Sequence, residues 1–286
     1  MISNKKPEWL KIKIKSGANT GNVSSILKKY TLNTVCAEAD CPNVYECFSR
    51  GTATFMILGK NCTRNCKFCK VIKAEPEEVN PIEPKNIAKA IKEMDLKHTV
   101  ITSVTRDDLS DGGAGHFAST ISEIKNLCPN VTIEVLIPDF KGEYDSLKKV
   151  VEAKPDVLNH NVETISNLYS SVRPMAVYKR SLELLKRVKE IDDSIFTKSG
   201  FMVGLGENAE QVIELLKDLK KVNCDIITIG QYLQPTKEHY EVKEYVNPNK
   251  FKIYEIIAKN MGFKFVASGP FVRSSYHAED GLNSLN

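Results

Sequence analysis

The sequence predicts an α/β protein built on a mainly parallel sheet with helices packed outside it. Three observations predict this class: short β-rich apolar runs, amphipathic helical stretches between them, and the regular alternation of the two from about residue 51 onward. The alternation gives about six strand–helix units, fewer than the eight that close a full barrel. Either an open doubly wound sheet or a partial barrel therefore fits the periodicity.

The individual elements follow from the spacing of apolar residues. We expect strands at residues 52–58, 98–103, 131–136, 156–159, 196–203, 225–229 and 263–267. We expect helices at residues 24–30, 84–94, 116–128, 144–153, around 182–188, 210–220 and 250–261. Pro84 suits the first turn of its helix, where the missing N–H costs nothing.

The composition is that of an ordinary globular protein, with 42% hydrophobic and 27% charged residues in a chain of 286. The net charge of +4 is mild, and no single-sign block argues for nucleic acid. No apolar stretch approaches a membrane span, and the N-terminus lacks the apolar core of a signal peptide. Eight cysteines without a secretion signal indicate a reducing compartment. We therefore expect a cytoplasmic enzyme with no nucleic-acid or membrane partner.

Cys62, Cys66 and Cys69 form a Cys-x3-Cys-x2-Cys run directly after the first expected strand of the repeat. Three thiolates in one short loop can converge on a metal centre, and zinc and iron–sulfur clusters are the usual occupants. A closed structural zinc site takes four ligands, so three cysteines leave one position open for chemistry. Half of a zinc site completed by remote residues, or three unrelated thiols, are the alternatives.

A second run, Cys36, Cys41 and Cys47, ends fifteen residues before the first cysteine of that loop. Two centres, each with three cysteines and one other ligand, explain the count best. One shared site, two zinc sites completed by histidines, or disulfides are the alternatives; no histidine lies at zinc-finger spacing, and a reducing compartment disfavours disulfides. We expect the remaining cysteines, Cys128 and Cys224, to be small buried hydrophobes.

The Cys-x3-Cys-x2-Cys run, with Phe68 just before its last cysteine, resembles the motif of the radical S-adenosylmethionine (SAM) enzymes. This resemblance implies a partial (β/α)6 barrel whose open side admits a substrate. It also implies that Cys62, Cys66 and Cys69 hold three irons of a [4Fe–4S] cluster and that SAM binds the fourth.

Polar residues and glycines follow the expected strands, where ligands bind in parallel α/β folds. Alone, the Gly-x-Gly at 204–206 is explained equally well by a tight turn. The resemblance assigns Ser103 to the methionine end of SAM, Asn161 and Glu163 to the ribose, and Gly204 and Gly206 to the adenosine side.

Further motifs resemble the lipoyl synthase family over nearly the whole chain. They are Lys-Pro-Glu-Trp-Leu-Lys, the Cys-x4-Cys-x5-Cys run, Thr-Arg-Asp-Asp-Leu-x-Asp-Gly-Gly-Ala, Asn-Val-Glu-Thr, Arg-Pro-x-Ala-x-Tyr and Arg-Ser-Ser-Tyr. The resemblance implies insertion of sulfur at C6 and C8 of a protein-bound octanoyl group, with one SAM for each insertion. Such saturated carbons offer neither an acidic proton nor a leaving group, which is why a radical cofactor is needed.

The same resemblance implies that Cys36, Cys41 and Cys47 hold an auxiliary [4Fe–4S] cluster that donates the sulfur. A serine of Arg-Ser-Ser-Tyr would bind its remaining iron, and we favour Ser275 over Ser274. Residues 1–50 would form an N-terminal extension with the auxiliary cysteines, 51–267 the barrel, and 268–286 a tail closing over the auxiliary cluster.

The implied partners are an octanoylated carrier protein and a flavodoxin- or ferredoxin-type electron donor. The carrier is either the glycine-cleavage H protein or the lipoyl domain of a 2-oxoacid dehydrogenase. Rival interpretations are a methylthiotransferase, which would need an additional nucleic-acid-binding domain, and an iron–sulfur electron carrier or zinc-bound interaction module. The six strand–helix units are far more than a carrier needs.

Overall fold

A computed structural model of the chain describes residues 6–11, 20–50, 52–276 and 278. Gly51 and the outer parts of both expected extensions lie outside the described residues. The strands are β1 Asn33–Thr34, β2 Thr54–Ile57, β3 Asn61–Cys62, β4 Ile72–Lys73, β5 His98–Ser103, β6 Thr132–Leu136, β7 Val157–Asn159, β8 Phe196–Val203, β9 Ile226–Gln231 and β10 Phe265–Gly269.

The helices alternate with these strands. They are α1 Thr20–Lys29, α2 Val35–Glu38, α3 Val44–Ser49, α4 Glu83–Glu93, α5 Ala114–Leu127, α6 Tyr144–Glu152, α7 Tyr169–Val172, α8 Tyr178–Ile191, α9 Ala209–Lys221 and α10 Pro248–Asn260. Short 3-10 turns occur at Glu8–Leu10, Phe140–Gly142 and Ser166–Leu168. The expected class and the six strand–helix units are confirmed, and α2, α3 and the short strands β1, β3 and β4 are additions.

The main sheet has eight strands in the order β1-β2-β5-β6-β7-β8-β9-β10. Only β1 runs antiparallel to its neighbour, with Asn33 opposite Met56 and Thr34 opposite Phe55. Within the part of the chain that the structure describes, no pairing joins β10 back to β1 or β2, so the hydrogen-bond ladder is open. The strands also follow one another in chain order, without the reversal that a doubly wound sheet contains, so the sheet is the partial barrel and a closed barrel is excluded for these residues.

Strand register separates an outer apolar face from a more polar inner face. Phe55, Ile101 and Val135 lie in one row and are fully buried in the layer shared with the helices. The alternate row contains Thr54 and Val100, which register with Glu134 of β6. Side chains of successive residues point to opposite faces of a strand, so this second row lines the barrel interior.

A buried ion pair crosses the interior between β6 and β8. Lys198 Nζ lies 2.9 Å from both carboxylate oxygens of Glu134, and the side chain of Asn159 donates to the same carboxylate at 3.1 Å. Burial of a charge is costly unless the charge is paired, and both charges here are paired. The pair therefore ties β6, β7 and β8 together from inside the barrel.

Separate apolar clusters occupy the two ends of the barrel. Val157 and Ile226 pack with partly buried phenylalanines where the strands begin. Val172, Leu205 and Tyr232 pack with Phe68 where the strands end, and this group is called the mouth cluster below. None of the helices in the described part of the chain combines the length and apolarity of a membrane crossing.

Candidate active site

The loop that carries Cys62, Cys66 and Cys69 begins at the end of β3, beyond the carboxyl end of β2. The charges of Cys62 and Cys66 both act on the pKa of Cys69, so the three thiols lie close together. The backbone N–H of Thr105, which follows β5, donates to Cys62 Sγ at 3.3 Å. The structure therefore brings this expected cysteine group together at the carboxyl edge of the sheet.

Neighbouring segments hold the far side of the same loop. The N–H of Lys67 donates to the carbonyl of Val172 at 2.9 Å, and the N–H of Tyr240 donates to the carbonyl of Lys67 at 2.8 Å. His239 Nε2 lies 3.1 Å from the carbonyl oxygen of Cys69. Phe68 belongs to the mouth cluster, so its ring covers the loop with apolar surface.

Arg64 anchors the loop between its first two cysteines, a role that the sequence analysis missed. Its Nε and Nη2 form a fork on the carboxylate of Asp107, at 2.7 and 2.9 Å. Its Nη2 also donates to Asp139 at 2.6 Å. An arginine between two cluster cysteines, in a chain with the Thr-Arg-Asp-Asp motif, was the signal that could have found it.

The second cysteine group is held against the first strands of the barrel. Cys36 lies in α2, whose N-terminus is capped by the Thr34 hydroxyl accepting from the N–H of Ala37 at 3.3 Å. Cys47 lies in α3, and Thr52 donates to its carbonyl through both backbone and hydroxyl. The charges of Cys36 and Cys41 act on the pKa of Cys47, so these three thiols also converge.

The C-terminal tail completes the surroundings of this second group. Asn43 donates to the carbonyl of Phe271 at 2.8 Å, and Tyr276 donates to Glu46 at 2.9 Å. These contacts place Ser275 beside the N-terminal segment. One cavity is lined by Cys36, Cys47, Thr54, His98, Val100 and Ser275, together with Arg50, Thr52, Ala53 and Ala278.

Close approach of the tail to β9 depends on a glycine. A Cβ at Gly230 would lie 2.2 Å from the carbonyl oxygen of Val272 and 3.2 Å from Arg273 Nη1. Gln231 N–H also donates to the carbonyl of Pro270 at 3.3 Å. Any larger residue at 230 would push the tail away from the inner face of the sheet.

An ion pair links the two cysteine groups directly. Lys70, which follows Cys69, pairs with Asp40, which precedes Cys41. On the interior side, the charges of both Cys41 and Glu163 act on the pKa of Arg273. Arg273 therefore lies near the second cysteine group and near Glu163.

The electrostatics of the thiols suit a site that is completed by metal. Burial raises the pKa of Cys36, Cys41 and Cys66, and it raises the pKa of Cys47 and Cys69 to about 12. A coordinating metal deprotonates a thiol outright, so such cysteines stay neutral until metal arrives. Two groups of three thiols fit two iron–sulfur clusters.

Zinc and a [4Fe–4S] cluster take cysteine ligands in different arrangements. The ligands of a zinc site all bind one atom, so they converge on one point. In a [4Fe–4S] cluster each thiolate binds a different iron, which spreads the ligands around the cluster.

Two of the residues expected to contact SAM have a buried polar atom without a hydrogen-bond partner among the described residues. Asn161 Oδ1 and Ser103 Oγ have no hydrogen-bond partner in the part of the chain that the structure describes. Buried polar atoms are nearly always paired, so each is available to a ligand. Ser103 is the last residue of β5 and shares a face of that strand with Ile101, whose side chain packs toward the helices. The strand therefore directs Ser103 away from the barrel interior.

Glu163 lies near the first cysteine group. Its backbone has a φ of 66° and bridges to β8, where its N–H donates to Gly200 and its carbonyl accepts from Met202. Burial raises the pKa of Glu163, and the charge of Arg173 opposes this shift. A side-chain hydrogen bond with Asn161 and the charge of Arg273 also oppose the effect of burial.

The glycines of the 204–206 turn have a structural reason that the sequence did not reveal. A Cβ at Gly204, where φ is 96°, would lie 2.3 Å from Gln231 Nε2 and 2.4 Å from the carbonyl oxygen of Glu244. Gly206 has a φ of 118°. Close approach at 204 is thus to protein atoms, and SAM contact at these glycines stays a prediction.

Arg173 is a further buried residue that the sequence analysis did not single out. Its Nη1 donates to the carbonyl oxygen of Asn161 at 2.9 Å and to that of Val162 at 3.3 Å. Its charge lowers the pKa of Cys66 against the larger, raising effect of burial. Arg173 thus supports the Asn161 segment and favours the thiolate form of one cysteine.

Comparison with known proteins defines the class. A model of the radical SAM superfamily matches residues 56–219. The solved structure of methylornithine synthase aligns with a TM-score of 0.55 at 13% identity, covering 88% of this chain and 82% of that one. SuiB of Streptococcus suis bound to S-adenosylmethionine aligns with a TM-score of 0.59 at 14% identity, covering 79% and 54%. The fold is shared with these proteins, and the chain belongs to the radical SAM superfamily.

Curated relatives narrow the assignment. A lipoyl synthase of Caldanaerobacter subterraneus subsp. tengcongensis is 59% identical over 98% of both chains. A lipoyl synthase of Alkaliphilus metalliredigens is 56% identical over 99% of this chain and 97% of its own. Within the superfamily, the chain belongs to the lipoyl synthase family.

Proposed function

We propose that this chain is the enzyme that inserts two sulfur atoms, at C6 and C8, into an octanoyl group carried on a protein, giving the lipoyl group. The observation that carries the proposal is the pair of cysteine groups, Cys62 to Cys69 and Cys36 to Cys47, which converge separately and are linked by the Lys70–Asp40 ion pair. An enzyme that only cleaved SAM would need the first group alone. The second group supplies what a sulfur insertion additionally needs.

The proposal assigns the cofactors to named residues. Cys62, Cys66 and Cys69 hold the SAM-binding [4Fe–4S] cluster, and Cys36, Cys41 and Cys47 hold the auxiliary one, with Ser275 on its remaining iron. When bound, SAM with its cluster supplies a 5′-deoxyadenosyl radical, and the auxiliary cluster supplies sulfur.

The remaining assignments concern how the chain holds SAM. Ser103, Asn161 and Glu163 contact SAM from the strand ends, and Gly204 and Gly206 lie on its adenosine side. The unpaired Oδ1 of Asn161 supports this placement. The contact at Ser103 stays a prediction, because Ser103 shares a face of β5 with Ile101. Phe68 and the mouth cluster supply apolar surface beside the cysteine loop, which would help to exclude water from the reacting groups.

The division of labour along the chain is part of the proposal. Residues 1–50 act as the auxiliary-cluster extension, 51–267 as the SAM-binding barrel, and 268–286 as the tail that closes over the auxiliary cluster. The Asn43–Phe271 and Tyr276–Glu46 contacts support an extension and tail that work as one unit.

The substrate is an octanoylated carrier protein. The finer assignment is to the glycine-cleavage H protein or to the lipoyl domain of a 2-oxoacid dehydrogenase. Electrons come from a flavodoxin- or ferredoxin-type donor, and the eight cysteines that the structure leaves as free thiols suit a reducing cytoplasm.

Two cysteine variants test this function. Reconstituted protein is incubated with SAM, a reductant and an octanoylated lipoyl domain, and 5′-deoxyadenosine and thiolated product are measured separately. Cys62→Ala is expected to abolish both products. Cys47→Ala is expected to keep 5′-deoxyadenosine formation and to lose sulfur insertion.

Cys128→Ala is the matched control, because Cys128 belongs to neither group and should leave both products unchanged. Sulfur-bearing product from Cys47→Ala would remove the donor role of the second group. Wild-type rates of 5′-deoxyadenosine formation in Cys62→Ala would remove the SAM-cluster assignment.

A further inference from the structure

The Cys62 to Cys69 loop is ordered by charge contacts at its centre as well as by its cysteines. Arg64 lies two residues after Cys62 and two before Cys66, so its position constrains both thiols at once. Its side chain is 5% exposed. A buried arginine in a metal-binding loop is costly unless its charge is fully paired.

Two carboxylates from two different strand ends pair this charge. Asp107 follows β5 and accepts a two-bond fork from Arg64 at 2.7 and 2.9 Å. Asp139 follows β6, is fully buried, and accepts a third bond at 2.6 Å. Planar fork contacts of this kind fix orientation as well as distance.

Neighbouring contacts make the arrangement rigid. The Thr63 hydroxyl donates to the carbonyl of Thr105 at 2.9 Å and accepts from the N–H of Asp107 at 3.1 Å. Asp139 is itself held by Arg180 of α8, at 3.2 Å. Arg64 therefore connects the cysteine loop to the ends of β5 and β6 and, through Asp139, to α8.

We propose that Arg64 is a positioning residue for the SAM-binding cluster, which holds Cys62 and Cys66 in their cluster-binding arrangement before iron arrives. This inference rests on the proposed function, because it takes Cys62, Cys66 and Cys69 as the ligands. A loop that is already ordered gives up less conformational entropy when it binds a cluster. The cluster should then assemble more completely and leave more slowly than from an unanchored loop.

The test isolates this cluster by working in a full-length chain with Cys36, Cys41 and Cys47 all replaced by alanine. Arg64→Gln, Arg64→Lys and Arg180→Gln are made in that background and reconstituted. The rate of iron loss to a chelator is then measured by absorbance. Residues that orient metal ligands typically change metal affinity by about 10–100-fold, so Arg64→Gln should lose iron about 10–100 times faster.

The other two variants separate positioning from charge and from general stability. Lysine keeps the charge but cannot form the fork, so Arg64→Lys should fall between Arg64→Gln and the unsubstituted background. Arg180→Gln removes the second cationic partner of Asp139 but leaves Arg64 with its fork on Asp107, so its iron loss should rise much less than that of Arg64→Gln. If Arg64→Gln fails to fold, the comparison of iron loss between Arg64→Lys and the unsubstituted background still tests the proposal.

Spectroscopy supplies a readout that a merely structural role would not change. The electron paramagnetic resonance spectrum of the reduced cluster is recorded with and without SAM. Misplaced thiols should weaken or abolish the spectral change that SAM causes in Arg64→Lys, while the unfolding temperature of the apo chain stays close to that of the background.

Several outcomes would overturn the inference. Equal iron loss in the background and both Arg64 variants would remove the positioning role, and so would equal acceleration in Arg180→Gln. An unchanged SAM-dependent spectrum in Arg64→Lys would do the same. If the background chain itself binds no cluster, the ligand assignment fails, and the inference falls with the proposed function.

Discussion

At the scale of single residues, Ser275 lines the cavity that also contains Cys36 and Cys47, whereas Ser274 is not among its lining residues. Geometry therefore favours the choice of Ser275 as the serine ligand of the auxiliary cluster. A serine oxygen is a harder and weaker match for iron than a thiolate, which suits a cluster that must release sulfur.

We predict that Ser275→Ala lowers lipoyl product by about 10–100-fold while 5′-deoxyadenosine formation stays within about twofold of wild type. Ser275→Cys should keep the auxiliary cluster and slow sulfur insertion, since a fourth thiolate holds its iron more firmly. Product and 5′-deoxyadenosine are measured by mass spectrometry. Ser274→Ala is the matched control, and a larger effect there than at Ser275 would transfer the assignment to Ser274.

Sequence spacing predicted that the cysteines of each run lie together, but it did not predict which residues surround them. The two runs each converge as expected because their members are close in the chain. The partners of Arg64 lie 43 and 75 positions away, at Asp107 and Asp139, so no local pattern reveals them. The need for glycine at 204 is likewise set by Gln231, a residue on the next strand.

At the scale of elements, the Glu134–Lys198 pair joins β6 to β8 inside the barrel. Removing one member of a buried pair leaves the other uncompensated, which typically costs 3–5 kcal/mol. We predict that Lys198→Met lowers the free energy of unfolding by about 3–5 kcal/mol in urea titrations of the apo chain.

A double variant separates the loss of the pair from the penalty of a lone charge. Replacing both members with uncharged residues is often close to neutral. Glu134→Gln with Lys198→Met should therefore recover most of the lost stability. If the double variant is as unstable as Lys198→Met alone, the cost comes from packing and not from an unpaired carboxylate.

Apolar periodicity predicted most of the long elements within one or two residues, whereas α1 and α8 each begin four residues before the expected ranges. The strands at 98–103 and 196–203 match β5 and β8, and both faces of these strands are largely buried. Helices α2 and α3 were missed. They span only four and six residues of the cysteine run, too short for a helical period to emerge.

At the scale of the whole molecule, a buried histidine couples stability to pH. His160 is 1% exposed; its Nδ1 donates to the carbonyl of Ile137 at 2.9 Å, and its Nε2 accepts from the Ser181 hydroxyl at 3.0 Å. Burial lowers the pKa of His160 from 6.5 to about 4, and the charge of Arg173 adds to the shift. The unfolded chain therefore takes up the proton first as pH falls.

This order of protonation determines the direction in which stability changes with pH. The stability contributed by neutral His160 is fully present above about pH 6.5 and is lost as pH falls toward about 4. Between pH 7 and pH 5 the loss amounts to about 2 kcal/mol. We predict that His160→Gln removes this part of the pH dependence from urea titrations of the apo chain, although it lowers stability at both pH values. An unchanged difference between pH 7 and pH 5 would contradict the assignment.

The overall architecture was only partly accessible from the sequence. Periodicity gave six strand–helix units but left an open sheet and a partial barrel equally possible, because curvature does not alter an apolar pattern. The resemblance to a known family settled that choice. The meeting of Asn43 with Phe271 spans almost the entire chain and leaves no trace in local spacing.

The contact between Asn43 and Phe271 has a consequence for the order of events during synthesis of the protein. The cavity of Cys36, Cys47 and Ser275 draws on both ends of the chain, so a ribosome must translate nearly the whole message before this cavity can exist. If iron reached the nascent chain, only the N-terminal part of the residues that line this cavity would be present. A chain released early would keep the cysteines of both groups and lack Ser275. The cavity is therefore complete only in a chain that includes its tail.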